Sequence, residues 1–367
     1  MNKPRARALG LDLPGHPGPC NALTDVPGVR VGYSTLIEER DRRQVRTGVT
    51  AILPRGHQPQ AAPTWAGFDA LNGNGAVTGT HWINDAGHFT GPICLTNTHS
   101  VGLVHHAATQ WIMRNHAAQF RRGHAWALPV VAETYDGVLN DINGQHISVE
   151  NALQAIESAT GGAIAEGNVG GGTGMICYDF KGGTGTSSRR VRIGAASYTL
   201  GALVQANHGM RDWLTILGVP VGRHLQQGRL LARENGSIIV VFGTDLPLLP
   251  HQLRRLARRG ALGIARHGTP GGNNSGDMFL AFSTANALTS EQLSASRVAL
   301  QSIPDMHFDA IYLAAVEAAE EAVINALLAA EDMPTCKPAG HMCRAIDHDA
   351  LLAVMARYGR VVTPSGD

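Results

Sequence analysis

Ser237 stands where a polar turn meets a β-branched strand, in Glu234-Asn235-Gly236-Ser237-Ile238-Ile239-Val240-Val241-Phe242. A serine hydroxyl is a weak nucleophile and needs a base within hydrogen-bond reach. One arrangement supplies that base on the same residue. If the Ser237 hydroxyl breaks the Gly236–Ser237 peptide bond, an α-amine is freed beside it. Such an amine has an unperturbed pKa of about 7.7–8.0, close to the optimum for a base at neutral pH. A serine at the head of a strand is also an ordinary strand-opening residue. The rest of the chain must therefore supply what the chemistry needs: fixed donors for an oxyanion and partners that place the amine.

Each requirement has a candidate. Asn207, in Gln205-Ala206-Asn207-His208-Gly209, can give a side-chain N–H to an oxyanion. Tyr135 can give a phenol hydrogen bond. Glu133, two residues earlier on an expected strand, points to the same face as Tyr135, and its carboxylate can hold a substrate ammonium. Ser275-Gly276-Asp277 precedes the strand-like Met278–Ser283. Residues i and i+2 share a face when extended, so Ser275 and Asp277 can jointly contact the amine of Ser237. Taken singly, each has an ordinary reading as well: Asn207 as a turn residue before Gly209, Tyr135 and Glu133 as strand residues, and Asn273–Asp277 as a loop.

The run Gly170-Gly171-Gly172-Thr173-Gly174 invites a phosphate-cradling reading. No Lys-Ser/Thr comes after it as in a P-loop, and no Gly-x-Gly-x-x-Gly leads into a helix with an acidic residue downstream. The expectation is that these glycines, and Gly182–Ser187, let backbone pass close to the active centre.

Composition narrows the class. Of 367 residues, 44% are hydrophobic and 16% charged, and the formal net charge is +1. No basic run interleaves with aromatics, so no nucleic-acid partner is implied. Five scattered cysteines do not make a disulfide framework, and Cys336-x6-Cys343 around His341 lacks zinc spacing. Residues 1–19 carry no apolar core of a signal peptide, and no apolar run is long enough to span a bilayer. The expectation is a cytoplasmic protein with no membrane partner. Glycine is abundant, 44 residues against a usual share of roughly 7%, which points to tight turns and close backbone approaches.

The elements that must position these residues alternate imperfectly. Short strands are expected over 29–33, 47–53, 93–97, 129–137, 191–198, 201–205, 237–243 and 277–283. Helices are expected over 101–119, over 149–159 with Ser148 as N-cap and Glu150 in its first turn, within 249–266, and over 308–331. Residues 71–88 read as loop, and 222–236 as an exposed linker. Strands in pairs argue against a doubly wound parallel sheet and favour helices on the outer faces of two stacked sheets. No composition break divides the chain, so residues 1–367 are expected to form one domain.

Several segments converge on one family. Gly73–Gly79, Glu133–Tyr135, Gly167–Met175 with Phe180–Gly183, Gln205–Gly209, Gly236–Val241, Asp245–Leu253 and Ser275–Thr284 resemble, in order, the self-cleaving DmpA family of L-aminopeptidase/D-esterase-amidases, which includes the β-aminopeptidases. The resemblance implies a four-layer αββα sandwich of the type shared with ornithine acetyltransferase and resembling the Ntn hydrolases. It implies scission at Gly236–Ser237 into fragments 1–236 and 237–367. By likeness Ser237 is the nucleophile, Asn207 and Tyr135 serve the oxyanion, Glu133 anchors the substrate's amino group, and Ser275 and Asp277 sit by the nucleophile's amine. Members of the family carry glutamate where this chain has Asp277, one methylene shorter. Ala76-Val77 stands where relatives carry an acidic or bulkier pair. The resemblance further implies short peptide, amide or ester substrates with small N-terminal residues, no cofactor or metal, and a homotetramer of cleaved pairs. The alternatives are an acyltransferase of the ornithine acetyltransferase type, which uses threonine where this chain has Ser237, and a non-catalytic nucleotide-binding protein built on Gly170–Gly174.

Overall fold

The computed structural model describes residues 3–40, 43–58, 62–234 and 236–361; Asn235 of the turn before Ser237 lies outside the described residues. An antiparallel hairpin, β1 (Arg30–Arg40) and β2 (Arg43–Leu53), is followed by β3 (Thr64–Ala70), α1 (Thr80–Ala86), the short β4 (His88–Phe89) and β5 (Ile93–Asn97). Helices α2 (Val101–Asn115) and α3 (Ala117–Arg122) lead to β6 (Val130–Thr134) and α4 (Val149–Glu157). A two-residue ladder, β7 (Ile176–Cys177) with β8 (Phe180–Lys181), precedes the long hairpin β9 (Gly183–Ile193) and β10 (Ala196–Asn207). After the short α5 (Val221–His224) come β11 (Ser237–Thr244), α6 (Pro250–Ala257), α7 (Arg259–Ala265), β12 (Asp277–Ser283), α8 (Ser290–Leu293) and α9 (Phe308–Ala329).

Two sheets carry the molecule, one in the order β1-β2-β5-β6 and one in the order β4-β3-β12-β11-β10-β9. Strand alternation shows how they stack. In β11, Ile239 and Val241 meet Ile52, Leu95 and Ala132 of the other sheet. Ile238, Val240 and Phe242 point the opposite way, toward α6, α7 and α9. Both faces are buried, which is why this strand reads as an unbroken apolar run. The smaller sheet does the same: Val49, Ala51 and Cys94 face Ala107 and Trp111 of α2 and Ala152 and Ile156 of α4. The result is four layers, helices, sheet, sheet, helices, as the paired strands predicted.

Local signals account for several boundaries. Ser148 caps α4 by accepting from the Asn151 N–H, 3.3 Å, and Asn151 returns the bond to the Ser148 N–H, 2.9 Å. Pro250 opens α6, whose N-terminus is closed by Gln252 accepting from the Leu249 N–H, 2.9 Å. Other expectations need correction. The expected loop 71–88 contains α1. The strand expected over 191–198 is the turn of a hairpin, with residues 194–195 between β9 and β10. The expected linker 222–236 begins inside α5, and further along Asp179 accepts from the backbone N–H of Leu230 (3.0 Å) and Leu231 (2.9 Å). Backbone groups bound in this way make a tethered segment rather than a free one.

Helix α9 shows where sequence pattern is weakest. Charged side chains are seldom fully buried, yet Glu317, Glu320 and Glu321 are all buried. Each has a guanidinium. Arg189 reaches Glu317 at 3.3 Å and Glu321 at 2.8 Å, Arg7 reaches Glu321 at 2.9 Å, and Arg266 reaches Glu320 at 2.6 Å. The helix is thus wrapped by β9, α7 and the N-terminal segment. Replacing Arg189 by Met takes from the buried Glu317 its guanidinium and leaves Glu321 with Arg7. Such breaks cost about 3–5 kcal/mol, so urea unfolding of Arg189→Met is expected to show a loss of that order at unchanged slope. A midpoint equal to the wild type's would show that the cluster contributes nothing.

Candidate active site

Sheet topology gathers the site. Strand β10 is antiparallel to β11, so the end of β10 lies beside the start of β11, and Asn207 pairs with Ser237. Strand β12 is parallel to β11, so its first residue arrives at the same edge, and Asp277 pairs with Ile238. Three strand ends therefore meet at one point, and each carries a residue singled out from the sequence.

Ser237 is buried, and its Oγ accepts from the Gly276 N–H at 2.9 Å. Ser275 and Asp277 flank that glycine. The Ser275 hydroxyl donates to Asp277 Oδ1 at 2.6 Å, and Asn72 Nδ2 donates to Asp277 Oδ2 at 3.2 Å. Burial pushes the Asp277 carboxyl up, and the Ser275 and Asn72 bonds oppose that. Asn207 is fixed at both ends of its amide. Its Oδ1 accepts from the Ile176 N–H at 2.8 Å, and its Nδ2 donates to the Tyr135 carbonyl at 3.0 Å. An amide nitrogen carries two hydrogens, so one is left for a further acceptor.

Beside Asn207 is a cavity lined by Tyr135, Gly174, Ile176, Asn207, Gly209 and Gly236, among others. Its volume is about 20 Å³, room for about one water-sized group. Gly236 lies flat on the Asn207 carbonyl: a Cβ built there would be 1.6 Å from that oxygen. Only glycine fits at the residue preceding Ser237.

Glu133 and Tyr135 do not share a strand face as expected. Strand β6 ends at Thr134, and the chain turns at Asp136, whose carbonyl accepts from the N–H groups of Leu139 and Asn140. Tyr135 is left 41% exposed at the cavity rim, while Glu133 is buried. Glu133 accepts from the Ala76 N–H at 2.8 Å and from the Thr98 hydroxyl. The loop carrying Ala76 is wedged in place: a Cβ at Gly75 would lie 2.9 Å from Glu133 Oε1 and 3.1 Å from Met278 Cε. This ties Glu133, on one sheet, to the start of β12 on the other.

Other titratable groups lie close by. His208 comes next after Asn207, but its ring packs on Tyr178 with centroids 5.0 Å apart, and its Nδ1 lies 3.8 Å from Cys177 Sγ. Burial drives its pKa down to about 3, too weak a base for a serine hydroxyl near neutral pH. Glu234, three residues before Ser237, accepts from the Gly209 N–H at 2.7 Å. Burial and, further, the Asp277 carboxylate push its carboxyl up, against the pull of that N–H and of the Gly272 N–H. Asp136 is fully buried. Burial pushes it up to about 7 against hydrogen bonds from Thr47, Asn140 and Asn97.

Sequence reasoning missed the main-chain donors of Gly276 and Ile176, which leave no mark on residue type. It also missed Asn72, Thr98, Asp136 and Glu234, whose roles depend on neighbours distant in the chain. The glycine run turned out differently. Gly170–Gly172 is a buried turn between the sheets, where a Cβ at Gly171 would lie 2.0 Å from Gln205 Oε1 and one at Gly172 would lie 2.2 Å from the Thr184 nitrogen. No phosphate fits there, and only Gly174 reaches the cavity. Most of Gly182–Ser187 is the first half of β9.

Comparison with known proteins leads the same way. The family model described as peptidase family S58 matches residues 21–340. The beta-peptidyl aminopeptidase BapA of Sphingosinicella microcystinivorans is 47% identical over 98% of this chain and 93% of its own length, and that of Sphingosinicella xenopeptidilytica is 42% identical over 97% and 92%. The solved L-aminopeptidase D-Ala-esterase/amidase of Ochrobactrum anthropi, described as a variant of the Ntn hydrolase fold, superposes with a TM-score of 0.95 at 53% identity, covering 98% of this chain and 100% of its own. The beta-aminopeptidase of a Burkholderia species gives 0.89 at 46%, covering 97% and 99%. Neither the acyltransferase nor the nucleotide-binding alternative gains support from these relatives.

Asp136, beside Tyr135, offers a check on the electrostatics of this edge. Its pKa rises from 3.8 to about 7 on folding. A raised pKa means the folded state holds the proton more tightly, so the stabilisation is complete below the unfolded value and is lost as pH rises through about 7. Asp136→Asn is neutral at every pH and removes this slope. Urea melts at about pH 5 and pH 8 are expected to show the variant gaining on the wild type at the higher pH. A stability difference independent of pH would mean that Asp136 is ionised throughout.

Proposed function

The chain belongs to peptidase family S58 and is a serine-type aminopeptidase, and from that premise we propose that it matures by cutting itself at Gly236–Ser237 and then uses Ser237 as an N-terminal nucleophile. The observation that carries this reading is the arrangement around the bond. Gly236 shares an oxygen-sized cavity with Asn207 and Tyr135, while Ser237 is held in register opposite Asn207.

In the scission, the Ser237 Oγ attacks the Gly236 carbonyl carbon, the C–N bond breaks, and the hydroxyl proton ends on the departing nitrogen. The resulting ester between Gly236 and Ser237 is hydrolysed by water. Fragment 1–236 then ends in a carboxylate, and fragment 237–367 begins with a serine bearing hydroxyl and amine. These fragments remain one folded unit, because β10 and β11 are paired along eight residues.

Turnover repeats the same geometry. A peptide, amide or ester with a free N-terminal amine places its ammonium against Glu133, which restricts the enzyme to terminal residues. Ser237 attacks the first carbonyl, with its own α-amine taking the proton. Asn207 and Tyr135 donate to the tetrahedral oxyanion. The amine product leaves, and water hydrolyses the acyl-enzyme. Ser275 and Asp277 orient the amine, the hydroxyl bonded to the carboxylate as a unit. The relatives' names, beta-peptidyl aminopeptidase and L-aminopeptidase D-Ala-esterase/amidase, support an α- or β-amino acid at the N-terminus, and short substrates with a small first residue are carried over from the family likeness. A homotetramer of cleaved pairs is carried over from the family likeness, and five unpaired cysteines fit a reducing, cytoplasmic location.

Intact-mass measurement of purified wild type is expected to give two fragments divided at Gly236–Ser237, and Ser237→Ala a single undivided chain without hydrolysis. Hydrolysis surviving in Ser237→Ala would refute the mechanism. Asn207→Ala, assayed on the fraction that has cleaved, is expected to lose about a hundredfold or more in kcat, as for other oxyanion donors. Glu133→Ala is expected to hit substrates with a free amine hardest. Equal losses on N-acylated esters would remove the anchoring role.

A further inference from the structure

Glu234 has no role in the turnover just described, yet it is built firmly into the site. Its Oε1 takes the Gly209 N–H at 2.7 Å. Among the described residues its Oε2 is buried without a partner in good hydrogen-bond geometry and lies flush against Gly272, where a Cβ would come within 1.7 Å of it and whose backbone N–H draws the carboxyl's pKa down. Gly272 is itself pinned, since Asn72 Nδ2 donates to its carbonyl at 3.1 Å and to Asp277 Oδ2 at 3.2 Å. A carboxylate in such a slot, near another carboxylate, is unfavourable as an anion. Its retention there calls for a reason beyond solubility.

The register supplies one. The attachments of Ser237 and Glu234 to residues 207–209 follow in antiparallel order. Ser237 pairs with Asn207, and Glu234 reaches back to the backbone of Gly209. These two attachments bracket Gly236, which lies against the carbonyl of Asn207 and the Cα of His208 between them. Without the Glu234 bond, the described attachments next to Gly236 would lie on its Ser237 side, and the carbonyl to be attacked could swing away from Asn207 and Tyr135. Positioning within fractions of an ångström governs such intramolecular attacks.

Resting on the self-cleavage reading, we propose that Glu234 is the positioning residue for scission: as a hydrogen-bond acceptor for Gly209 it clamps the segment before Ser237, so that the Gly236 carbonyl sits in the cavity beside Asn207. The role belongs to the precursor. Once the bond is cut, Glu234 is on the departing side of the site, and turnover of external substrates no longer depends on it.

The test separates scission from turnover. Wild type, Glu234→Ala and Glu234→Gln are produced by cell-free synthesis, and the appearance of the two fragments is followed in time by intact mass. Glutamine keeps the acceptor and drops the charge. Glu234→Ala is expected to cleave at least about tenfold more slowly than wild type, and Glu234→Gln within about threefold of it, the scale of one lost or kept hydrogen bond. Cleaved molecules of both variants are expected to hydrolyse an N-terminally free amide with wild-type kcat, counted per cleaved chain. Scission of Glu234→Ala at the wild-type rate would overturn the proposal. So would a Glu234→Gln chain as slow as Glu234→Ala, since the acceptor would then not be what matters. An equal loss of kcat in cleaved Glu234→Ala would overturn it as well, by placing the residue in turnover. A general folding defect is excluded by recovery in Glu234→Gln. Should wild type itself stay whole, the self-cleavage reading fails, and not the assignment of Glu234 alone.

Discussion

The pairing of Asn207 with Ser237 is the constraint on which the site depends. Each stands at the last or first position of its strand, and the antiparallel ladder between β10 and β11 sets them side by side. A slip of β11 by one residue would turn Ser237 to the other face of the sheet, away from Asn207. The apolar residues further along the ladder forbid that slip. Leu203, Ile239 and Val241 fill the space between the sheets, while Val204, Ile238, Val240 and Phe242 fill the space under the helices. The hydrophobic core thus fixes the register, and the register places the chemistry. Strand β12 adds Asp277 at the same edge because it runs parallel to β11.

Burial then decides which groups can titrate usefully. At this edge burial disfavours the charged forms of Asp277, Glu234 and His208. Asp277 and Glu234 are pushed up, and His208 is pushed far down. The same effect applies to an α-amine at Ser237: desolvation favours its neutral form, which is the form that accepts a proton. The Asp277 carboxylate acts in the opposite sense. In the proposed mature enzyme these two opposed influences set the basicity of the Ser237 amine. His208, although adjacent in sequence to Asn207, is turned to Cys177 and Tyr178 and plays no part in that balance.

Much of this was legible in the sequence, and the limits have physical causes. The unbroken apolar runs after Ser237 and Asp277 marked central strands, and the paired strands marked a two-sheet sandwich. The chain order of the motifs marked the family, and the family implied the self-cleaving arrangement. Residues acting through side chains, such as Asn207 and Ser275, could be nominated by type. Residues acting through main-chain N–H groups, such as Gly276 and Ile176, could not. The burial of Glu317, Glu320 and Glu321 could not be read, because a pattern on one helix does not reveal arginines arriving from residues 7, 189 and 266. Glu133 and Tyr135 were placed on one face because the strand was expected to run through Tyr135, whereas β6 ends at Thr134 and the turn at Asp136-Gly137 follows at once.

The shortening of the acidic side chain at position 277 has a structural answer. An aspartate reaches about one methylene less far than a glutamate, so a solvated Asp277 would leave the amine of a serine at 237 without a firm partner. Here it is not free to swing. Ser275 holds Oδ1, Asn72 holds Oδ2, and the first residue pair of the parallel ladder fixes its backbone beside Ile238. A short, fully constrained carboxylate loses less freedom when it binds than a longer mobile one, so rigidity can offset reach. Asn72 also grips the Gly272 carbonyl, and Gly272 walls the slot of Glu234. One asparagine from the loop after β3 therefore sets the positions of both carboxylates next to the bond. In the proposed reading, the precursor's clamp and the mature enzyme's amine partner are positioned by the same side chain.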